Sequence, residues 1–192
     1  MVAYKKNKNL IIFGTGLIAE EIYNYFSLDS NYTVHAFVKD KKYIKKNKFL
    51  GLPVVSFENV EKKYSPKIYH AFVAVGYTEM NDLRSKKFKE FKKKKYKLAN
   101  YISSKSSVIN PQKKYENCIV LENSTIQSTA NIGKNVYIGT FSVCEKDSVI
   151  GDGSKIYSQV FLGENVSIGK NTIIYPGVRI YNNSVIGNNC II

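Results

Sequence analysis

The sequence predicts two domains of different fold class. Residues 1–101 are expected to form an α/β domain of Rossmann type, and residues 102–192 an all-β parallel β-helix. In the first half, short apolar runs alternate with segments of helical spacing, which is typical of a parallel sheet covered by helices. In the second half, an aliphatic residue recurs every six positions, which is typical of a β-helix. A chain of 192 residues is long enough for both.

The first strand and helix of the α/β domain are the clearest. Leu10–Phe13 is a short apolar run of the kind found in buried parallel strands, and it ends at Gly14. Ile18, Ile22 and Phe26 follow at intervals of four, which predicts a helix with one apolar face.

The remaining elements of this domain alternate in the same way. The predicted strands are Tyr32–Val38, Leu52–Val55, His70–Val75 and Tyr96–Ile102. A brief helix capped by Ser56 is expected to end near Tyr64. A basic amphipathic helix from Asn81 to about Lys95 is expected to turn Leu83, Phe88 and Phe91 inward.

A glycine-rich turn joins the first strand to the first helix. Gly14 and Gly16 flank Thr15, and Ala19 completes a Gly-x-Gly-x-x-Ala motif. Glycines permit close approach of the backbone, and the N-terminus of a helix offers free N–H groups to an anion. Asp40 follows the second strand, where an acid that binds a ribose is expected. The motif fits NAD, a nucleotide-sugar or a bare tight turn.

The six-residue repeat starts at residue 102 and keeps its register to residue 192. Fourteen of its sixteen positions are aliphatic, the exceptions being Lys114 and Cys144. The sixteen positions are Ile102, Val108, Lys114, Val120, Ile126, Ile132, Ile138, Cys144, Ile150, Ile156, Leu162, Ile168, Ile174, Ile180, Ile186 and Ile192. Small or β-branched residues mostly follow four positions later, and glycine often follows directly. We interpret each hexad as one short strand and a turn, with the aliphatic side chain in a narrow core and the glycine supplying the corner conformation.

Charge is concentrated in the first half of the chain. Lys+Arg exceeds Asp+Glu by 29 to 15, and residues 1–100 contain 21 of the basic and 9 of the acidic side chains. The lysine runs Lys39–Lys48 and Lys86–Lys97 are interpreted as solvated faces. Because only two of the basic residues are arginines, nucleic acid is not expected as a partner.

No targeting or membrane segment is expected. The apolar runs are shorter than the roughly 20 residues that span a bilayer, and residues 1–9 have no apolar core of a secretory signal. We therefore expect a soluble, cytoplasmic protein.

The cysteines and histidines are not spaced as metal ligands, so the sequence predicts no metal site. Cys118, Cys144 and Cys190 form no Cys-x-x-Cys pair, and His35 and His70 lie in predicted strands. Cys118 and Cys190 are four coils apart, roughly 19 Å at strand spacing, which is too far for a disulfide. The repeat contains no histidine, which disfavours a β-helix carbonic anhydrase.

The layout of the whole chain resembles a known family, the bacterial sugar acyltransferases of the sialic acid O-acetyltransferase and bacillosamine N-acetyltransferase type. The joining segment, from Gly76-Tyr77 through Asn81-Asp82-Leu83-Arg84 to Tyr101-Ile102-Ser103, is also similar. The resemblance implies a left-handed β-helix and a homotrimer. It further implies that a nucleotide-sugar binds the first domain, at Gly14, Thr15, Gly16, Lys39 and Asp40, and that acetyl-CoA binds along the β-helix between subunits.

The same resemblance locates the catalytic residues and shows a departure. The family carries a histidine beside an acidic residue before Val-Ile-Gly, and the matching residues here are Lys146 and Asp147, with Glu145 beside them. A second family histidine matches Lys155, which with Gly163 is expected to contact acyl-CoA or the acceptor. Glu164 stands where the family often has glycine, near the CoA arm.

Three interpretations of Lys146 follow from lysine chemistry. It is a base whose pKa burial has lowered, or a cation that stabilises an oxyanion while Asp147 or Glu145 handles the proton, or a sign that acyl transfer has been lost. A neutral sugar amine is itself nucleophilic, so N-acylation needs a base less than O-acylation does.

We expect acyl, most simply acetyl, transfer from acyl-CoA to a nucleotide-linked amino-sugar in surface glycan biosynthesis, with no metal and no membrane insertion. The alternative is a catalytically degenerate relative that binds sugar-nucleotides or acts in assembly. An NAD-dependent enzyme is disfavoured because no hydride-transfer residues accompany the glycine turn.

Overall fold

The chain divides into two compact units. A computed structural model describes residues 5–76, 81–109 and 115–192. The first unit contains the described residues up to 76 together with 83–99, and the second contains residues 81–82 and the described residues from 100 onward. The predicted hexad position Lys114 and the joining residue Tyr77 lie outside the described residues.

The first unit is a five-stranded, mostly parallel sheet. Its strands are β1 (Lys8–Phe13), β2 (Tyr32–Lys39), β3 (Lys48–Phe49), β4 (Leu52–Ser56) and β5 (Tyr69–Val73). Their order is β3-β4-β2-β1-β5, and only the β3–β4 pair is antiparallel. The central strand β1 is apolar over its last four residues, and these are buried. The α/β class predicted from the alternating pattern is confirmed.

Three helices accompany this sheet. They are α1 (Leu17–Leu28), α2 (Val60–Lys63) and α3 (Asp82–Lys93), and short 3₁₀ turns cover Lys41–Tyr43 and Phe57–Asn59. Helix α1 buries Ala19, Ile22 and Phe26, as its spacing requires. No helix among the described residues is long and apolar enough to cross a membrane.

Details of this unit differ from the sequence prediction in three places. The Ser56 side chain caps no helix, because its hydroxyl donates to Glu58 Oε2 at 2.6 Å. Residues 96–102 are not one strand, since Leu98 forms a single parallel bridge with Ala71 and the chain then enters the second unit. Leu83 is 40% exposed and not inward.

The second unit is a parallel β-helix of two-residue strands, three strands to a coil. One sheet contains β10 (Asn131–Ile132), β13 (Val149–Ile150), β16 (Ser167–Ile168) and β19 (Val185–Ile186). The second contains β6 (Tyr101–Ile102), β8 (Ile119–Val120), β11 (Tyr137–Ile138), β14 (Lys155–Ile156) and β17 (Ile173–Ile174). The third contains β7 (Ser107–Val108), β9 (Thr125–Ile126), β12 (Val143–Cys144), β15 (Phe161–Leu162) and β18 (Arg179–Ile180).

The aliphatic column of the repeat forms the core of the β-helix. From Val120 to Ile180 every hexad position is at least 94% buried, and Ile102, Val108 and Ile186 pack against this core while partly exposed. The three cysteines carry no disulfide. The six-residue register predicted from the sequence is therefore the spacing of the strands.

The glycines at the corners are required for a different reason from the one predicted. The left-handed conformation falls three residues after the aliphatic position, not one: for example at Asn135, with φ 59°, and at Asn165, with φ 58°. Asparagine adopts this conformation at less cost than other side chains. The glycine directly after the aliphatic residue is needed for space instead, because a Cβ on Gly139 would lie 2.6 Å from the backbone nitrogen of Ser158 in the next coil.

This explanation predicts different costs for two chemically identical changes. A Cβ on Gly169 would lie 2.5 Å from the carbonyl carbon of Gly187, whereas a Cβ on Gly187 would meet only Cys190 Sγ, at 3.7 Å. We expect Gly169→Ala to lower the free energy of unfolding by about 1–3 kcal/mol and Gly187→Ala to change it by less than about 0.5 kcal/mol. Denaturant unfolding of both variants measures this, and equal stabilities would contradict it.

Candidate functional site

The glycine turn is fixed by a close backbone contact. Gly14 has φ +128°, and a Cβ there would lie 2.3 Å from the carbonyl oxygen of Ala74. Its N–H donates to the carbonyl oxygen of Val38 at 2.9 Å. Because neither the angle nor the space admits a side chain, position 14 requires glycine.

Gly16 serves the site differently. It is the N-cap residue of α1 in an extended conformation, and nothing lies within 4 Å of where its Cβ would be. The first N–H groups of a helix lack partners within the helix, and the helix dipole favours an anion there. The absence of a side chain at Gly16 therefore leaves the N-terminus of a 12-residue helix open to a ligand.

A cavity of about 630 Å³ opens at this turn. The five residues predicted to bind a nucleotide-sugar all line it: Gly14, Thr15, Gly16, Lys39 and Asp40. Much of the remaining wall is apolar and comes from the ends of β1 and β5 and from Leu83. The exposure of Leu83 thus places an apolar side chain on the wall of the cavity. The arrangement can hold an anionic group at the helix and an apolar ring beside it.

Two polar side chains at the end of β2, that of its last residue Lys39 and that of Asp40 directly after it, are each held in place. Lys39 Nζ donates to Thr15 Oγ1 at 3.1 Å, which joins the end of β2 to the glycine turn. Asp40 Oδ1 accepts from Lys87 Nζ at 2.5 Å, and Lys87 also donates to Glu90 Oε2 at 2.7 Å. The carboxylate predicted to bind a ribose is therefore already paired with a lysine.

Sequence analysis missed Lys87, which it assigned to a solvated run. The side chain is only 7% exposed, and its ammonium lies 4.4 Å from the centre of the Phe57 ring. Burial acts to lower the pKa of Lys87, but the hydrogen bonds to Asp40 and Glu90 outweigh it and raise the pKa above its usual value. Its spacing of four from buried Phe91 is the one sequence signal that marked it.

A second cavity, of about 280 Å³, adjoins the first. Lys39 and Thr15 line both, and the other wall of the second cavity is the segment that leads into and through the β3–β4 hairpin. We call it the lysine pocket, after its four lysines Lys39, Lys45, Lys46 and Lys48. Sequence analysis interpreted these lysines as a solvated face, because nothing in a lysine run shows which members surround a cavity.

The predicted catalytic residues form one corner of the β-helix. Glu145, Lys146 and Asp147 follow β12, with Asp147 in the left-handed conformation at φ 58°. The Glu145 carbonyl accepts from the Ser148 hydroxyl at 2.7 Å, and the Asp147 N–H donates to Thr129 Oγ1 at 3.0 Å. Glu145 is half-buried, and Lys146 and Asp147 are exposed. Within this chain, Lys146 thus lacks the burial that a lysine base requires.

The two residues predicted to contact acyl-CoA or the acceptor lie apart. Gly163 is next to Glu145 on the adjacent coil, since the Glu145 N–H donates to the Leu162 carbonyl at 3.0 Å. A Cβ on Gly163 would lie 2.3 Å from Asn182 Oδ1, so coil packing alone explains this glycine. Lys155 lies in β14, on a different sheet from β12.

Lys155 has an aromatic environment. Its ammonium lies 3.9 Å from the ring centre of Tyr157 and 4.8 Å from that of Tyr137, and the residue is 9% exposed. Tyr157 also stacks on Tyr175, with ring centres 5.6 Å apart. Cation–π contacts of this kind fix a lysine in one position.

Other reactive side chains of the described residues are structural. Burial, with a contribution from Glu145, raises the pKa of the Cys144 thiol to about 12, which makes it a poor nucleophile. His35 hydrogen-bonds Asn9, and His70 hydrogen-bonds Tyr32. Among residues 5–76, 81–109 and 115–192, no three His, Cys, Asp or Glu side chains are grouped as metal ligands would be.

Family comparisons match both units of the chain. Residues 9–91 match the family described as the PglD N-terminal domain, and residues 147–182 match bacterial transferase hexapeptide repeats. The first unit is therefore similar to the PglD N-terminal domain, and the second unit is similar to transferase hexapeptide repeats. The resemblance inferred from the sequence is confirmed, and the second unit is a left-handed β-helix.

Solved structures share this fold over nearly the whole chain. The acetyltransferase domain of PglB from Neisseria gonorrhoeae is 18% identical, with 97% of this chain and 91% of that one covered at a TM-score of 0.67. PerB from Caulobacter crescentus, in complex with CoA and GDP-perosamine, is 22% identical, with coverages of 96% and 88% and a TM-score of 0.62. WeeI from Acinetobacter baumannii is 16% identical, with 94% of each chain covered at 0.62. No curated protein matches the chain.

The ion pair beside the PglD-type cavity gives a testable prediction. Lys87→Met leaves the carboxylates of Asp40 and Glu90 without their cation, so we expect the free energy of unfolding to fall by about 2–3 kcal/mol at pH 7. Because the folded-state pKa of Lys87 is raised above 10.5, this contribution is fully present below that pH and is lost as pH rises through the higher value.

Urea unfolding of the wild type and the variant from pH 7 to pH 11.5 measures the difference. Lys89→Met, which removes an exposed lysine from the same helix, is the control and should change little. A Lys87→Met variant as stable as the control at pH 7 would contradict the assignment.

Proposed function

We propose that this protein transfers an acyl group, most simply acetyl, from acyl-CoA to the amino group of a nucleotide-linked sugar used for surface glycans. One observation carries the proposal: an open glycine-turn cavity and a hexapeptide β-helix occur together in one chain, and this chain shares its fold with PerB, a protein whose structure contains CoA and GDP-perosamine. The matched family and folds support sugar acetyl transfer in general. The amine acceptor and the glycan role are finer proposals.

The nucleotide would bind in the cavity at the glycine turn. Its diphosphate would approach the N-terminus of α1, where Gly16 leaves space and Gly14 sets the turn. Thr15 and Lys39 would contact it from the side, and Asp40, paired with Lys87, would lie at the ribose or base. All of these residues belong to the first unit.

The acyl transfer would take place at the corner formed by Glu145, Lys146 and Asp147. The neutral sugar amine attacks the thioester carbonyl, a C–N bond forms, the C–S bond breaks, and CoA leaves as the thiolate. The proton lost by the amine passes through a carboxylate of Glu145 or Asp147 to that thiolate. The exposed ammonium of Lys146 would stabilise the oxyanion of the tetrahedral intermediate.

Gly163, beside Glu145, and Lys155, on a different sheet, are the other two residues proposed to contact acyl-CoA or the acceptor. A lysine held between two tyrosine rings is a fixed positive charge suited to an anionic donor or acceptor. The corner that contains Lys134 and Lys170 adds a cavity of about 290 Å³ on the β-helix. Asp152 also lines this cavity and Lys134 is paired with Glu116, so Lys155 is the feature that best fits an anionic group.

A degenerate relative that only binds sugar-nucleotides is the second candidate. The observation that favours it is the exposure of Lys146, at the position where the resemblance expects histidine. Incubation with acetyl-CoA and a panel of nucleotide-linked amino-sugars, with detection of free thiol, separates the two. Thermal stabilisation by a nucleotide-sugar without thiol release would favour the binding protein.

The proposed mechanism predicts that acyl transfer requires the positive charge of Lys146. Lys146→Gln should lower kcat about 100- to 1000-fold, because one oxyanion-stabilising group is removed. Lys146→Arg keeps the charge and should retain most of the activity. Lys105→Gln, an exposed lysine of the same β-helix, is the control and should match the wild type.

The pH profile separates this role from that of a base. If Lys146 acts only as a cation, kcat/KM should follow deprotonation of the sugar amine in both the wild type and Lys146→Arg. An active Lys146→Gln enzyme, or an inactive Lys146→Arg enzyme of normal stability, would contradict the proposal.

We also propose that the protein is a homotrimer, as the resemblance implies. The surface of the β-helix leaves Phe141, Val149 and Val185 between 42% and 77% exposed, which is typical of surfaces that pack against another subunit. Light scattering should give three times 21.8 kDa. A monomer at micromolar concentration would contradict an active site shared between subunits.

A further inference from the structure

Exposed lysines gather where the parallel strands of the first unit begin. Lys8 at the start of β1 pairs with Tyr32 at the start of β2. Asn9 pairs with Tyr69, the first residue of β5, so the three strands begin at one edge of the sheet. We call this surface the basic edge, after five exposed lysines at or near these starts: Lys5, Lys8, Lys67, Lys95 and Lys97.

Backbone contacts bring the basic edge together from distant parts of the chain. The Lys8 N–H donates to the Asn31 carbonyl at 3.2 Å, and the Ala71 N–H of β5 donates to the Lys97 carbonyl at 3.0 Å. Burial lowers the pKa of His70, and the positive charges of Lys8 and Lys97 act in the same direction. Both lysines therefore lie close to one residue near the start of β5.

Two apolar side chains are exposed at the same edge. Leu28, the last residue of α1, is 67% exposed, and Ile68, which follows Lys67 and precedes β5, is 61% exposed. The Lys6 ammonium donates to the carbonyls at the end of α1, including that of Ser27 at 2.8 Å, and so holds the segment before β1 beside this helix end. Exposed apolar groups among lysines are typical of surfaces that rest on lipid headgroups.

Carboxylates lie toward the opposite edge of the sheet, where the cavity at the glycine turn opens. Asp40 directly follows β2, Glu58 accepts from the backbone just after it, and Glu20 lies in the first turn of α1. Nearer the basic edge, Glu61 is already paired with Lys94. The first unit is therefore polarised, with its unpaired positive charge at the end of the sheet away from the cavity.

The side chains of the basic edge favour a lipid surface over a nucleic acid. The two arginines of the chain lie elsewhere, since Arg84 is buried in α3 and Arg179 belongs to β18. Arginine is the side chain that binds bases and phosphates with a planar fork, whereas lysine acts as a point charge. An anionic leaflet attracts such point charges, and each lysine close to it strengthens binding about fivefold.

We propose that the basic edge docks this protein on an anionic phospholipid surface, with Leu28 and Ile68 at the headgroup boundary. The protein would lie on the bilayer without crossing it. Because the glycine-turn cavity opens at the other end of the sheet, a docked protein keeps that cavity accessible to ligands in solution. The inference goes beyond the proposed function and does not depend on acyl transfer.

Flotation of the full chain with lipid vesicles tests the proposal. The probes are vesicles of phosphatidylcholine alone and vesicles that also contain phosphatidylglycerol. We expect binding to the anionic vesicles only, and its loss at high salt, because exposed charges are screened. Equal binding to both vesicles, or binding to anionic vesicles that salt leaves unchanged, would overturn the proposal.

A triple variant locates the surface. Lys8→Gln with Lys67→Gln and Lys97→Gln removes three charges from the basic edge and should weaken binding to anionic vesicles by about 10- to 100-fold. Thermal unfolding verifies that the variant is folded.

The matched control removes the same charge near the opposite edge, at three exposed lysines: Lys42→Gln with Lys45→Gln and Lys46→Gln. It should bind the anionic vesicles nearly as the wild type does. An equal loss in both variants would show that net charge alone is responsible, and the basic edge would lose its assignment.

An introduced tryptophan reports contact with lipid directly, because the chain contains no tryptophan of its own. The emission of Ile68→Trp should shift to shorter wavelength when anionic vesicles are added. The control is Tyr43→Trp, at a side chain 52% exposed beside the glycine-turn cavity, and its emission should not shift. A shift at position 43 alone, or at neither position while the protein floats with the vesicles, would contradict docking by this edge.

Duplex DNA tests the other anionic surface. At the same salt concentration, we expect DNA to leave vesicle binding largely intact. DNA that binds more tightly than the anionic vesicles, and whose binding is lost in the triple variant of the basic edge, would assign the edge to a nucleic acid and refute the lipid proposal.

Discussion

The close spacing between successive coils of the β-helix determines which residues each position of the second unit can hold. Each two-residue strand pairs with the strand 18 residues away, so every residue lies over its counterpart in the next coil. Where the backbone turns after the core residue, that spacing leaves no space for a Cβ, as at Gly139. A single inserted residue would place a polar side chain in the core and a Cβ at a closed corner. The six-residue register is kept along the β-helix for this reason. It places Lys146 at a corner, two residues after the core position Cys144.

The first unit depends on one contact of the same kind. Gly14 touches the backbone of Ala74, which brings the end of β1 against the end of β5 and starts α1 at the glycine turn. Ligands of open α/β sheets bind at the carboxyl ends of the strands. The cavity at the turn is thus a consequence of strand packing, and Gly16 adds access. Two glycines that are two residues apart therefore have different roles, since Gly14 sets the turn and Gly16 leaves the opening of the cavity free.

Most of the fold could be predicted from the sequence, but less of the candidate site could be. Apolar residues recur every six positions in the second unit and at helical spacing in the first. These periods predicted both units because they show which side chains are buried in each element. The pairing of Lys87 with Asp40 joins residues 47 positions apart, and no local pattern reports such a distance. The same limit hid the lysine pocket. The left-handed corner conformation was wrongly assigned to the glycine directly after the aliphatic residue. A glycine required because a Cβ would clash cannot be told, in a sequence, from a glycine required for a positive φ.

Three lysines of this chain show how the environment determines what one type of side chain can do. Lys87 is buried and neutralised by two carboxylates, Lys155 is held between aromatic rings, and Lys146 is exposed at a corner. Burial without a counter-ion is the environment that suits a lysine to act as a base, and the Lys146 side chain is exposed within this chain. A solvated ammonium can stabilise negative charge but cannot accept a proton. A neutral sugar amine attacks a thioester without prior deprotonation, so the proposed corner suits a sugar amine better than a sugar hydroxyl, which needs a stronger base.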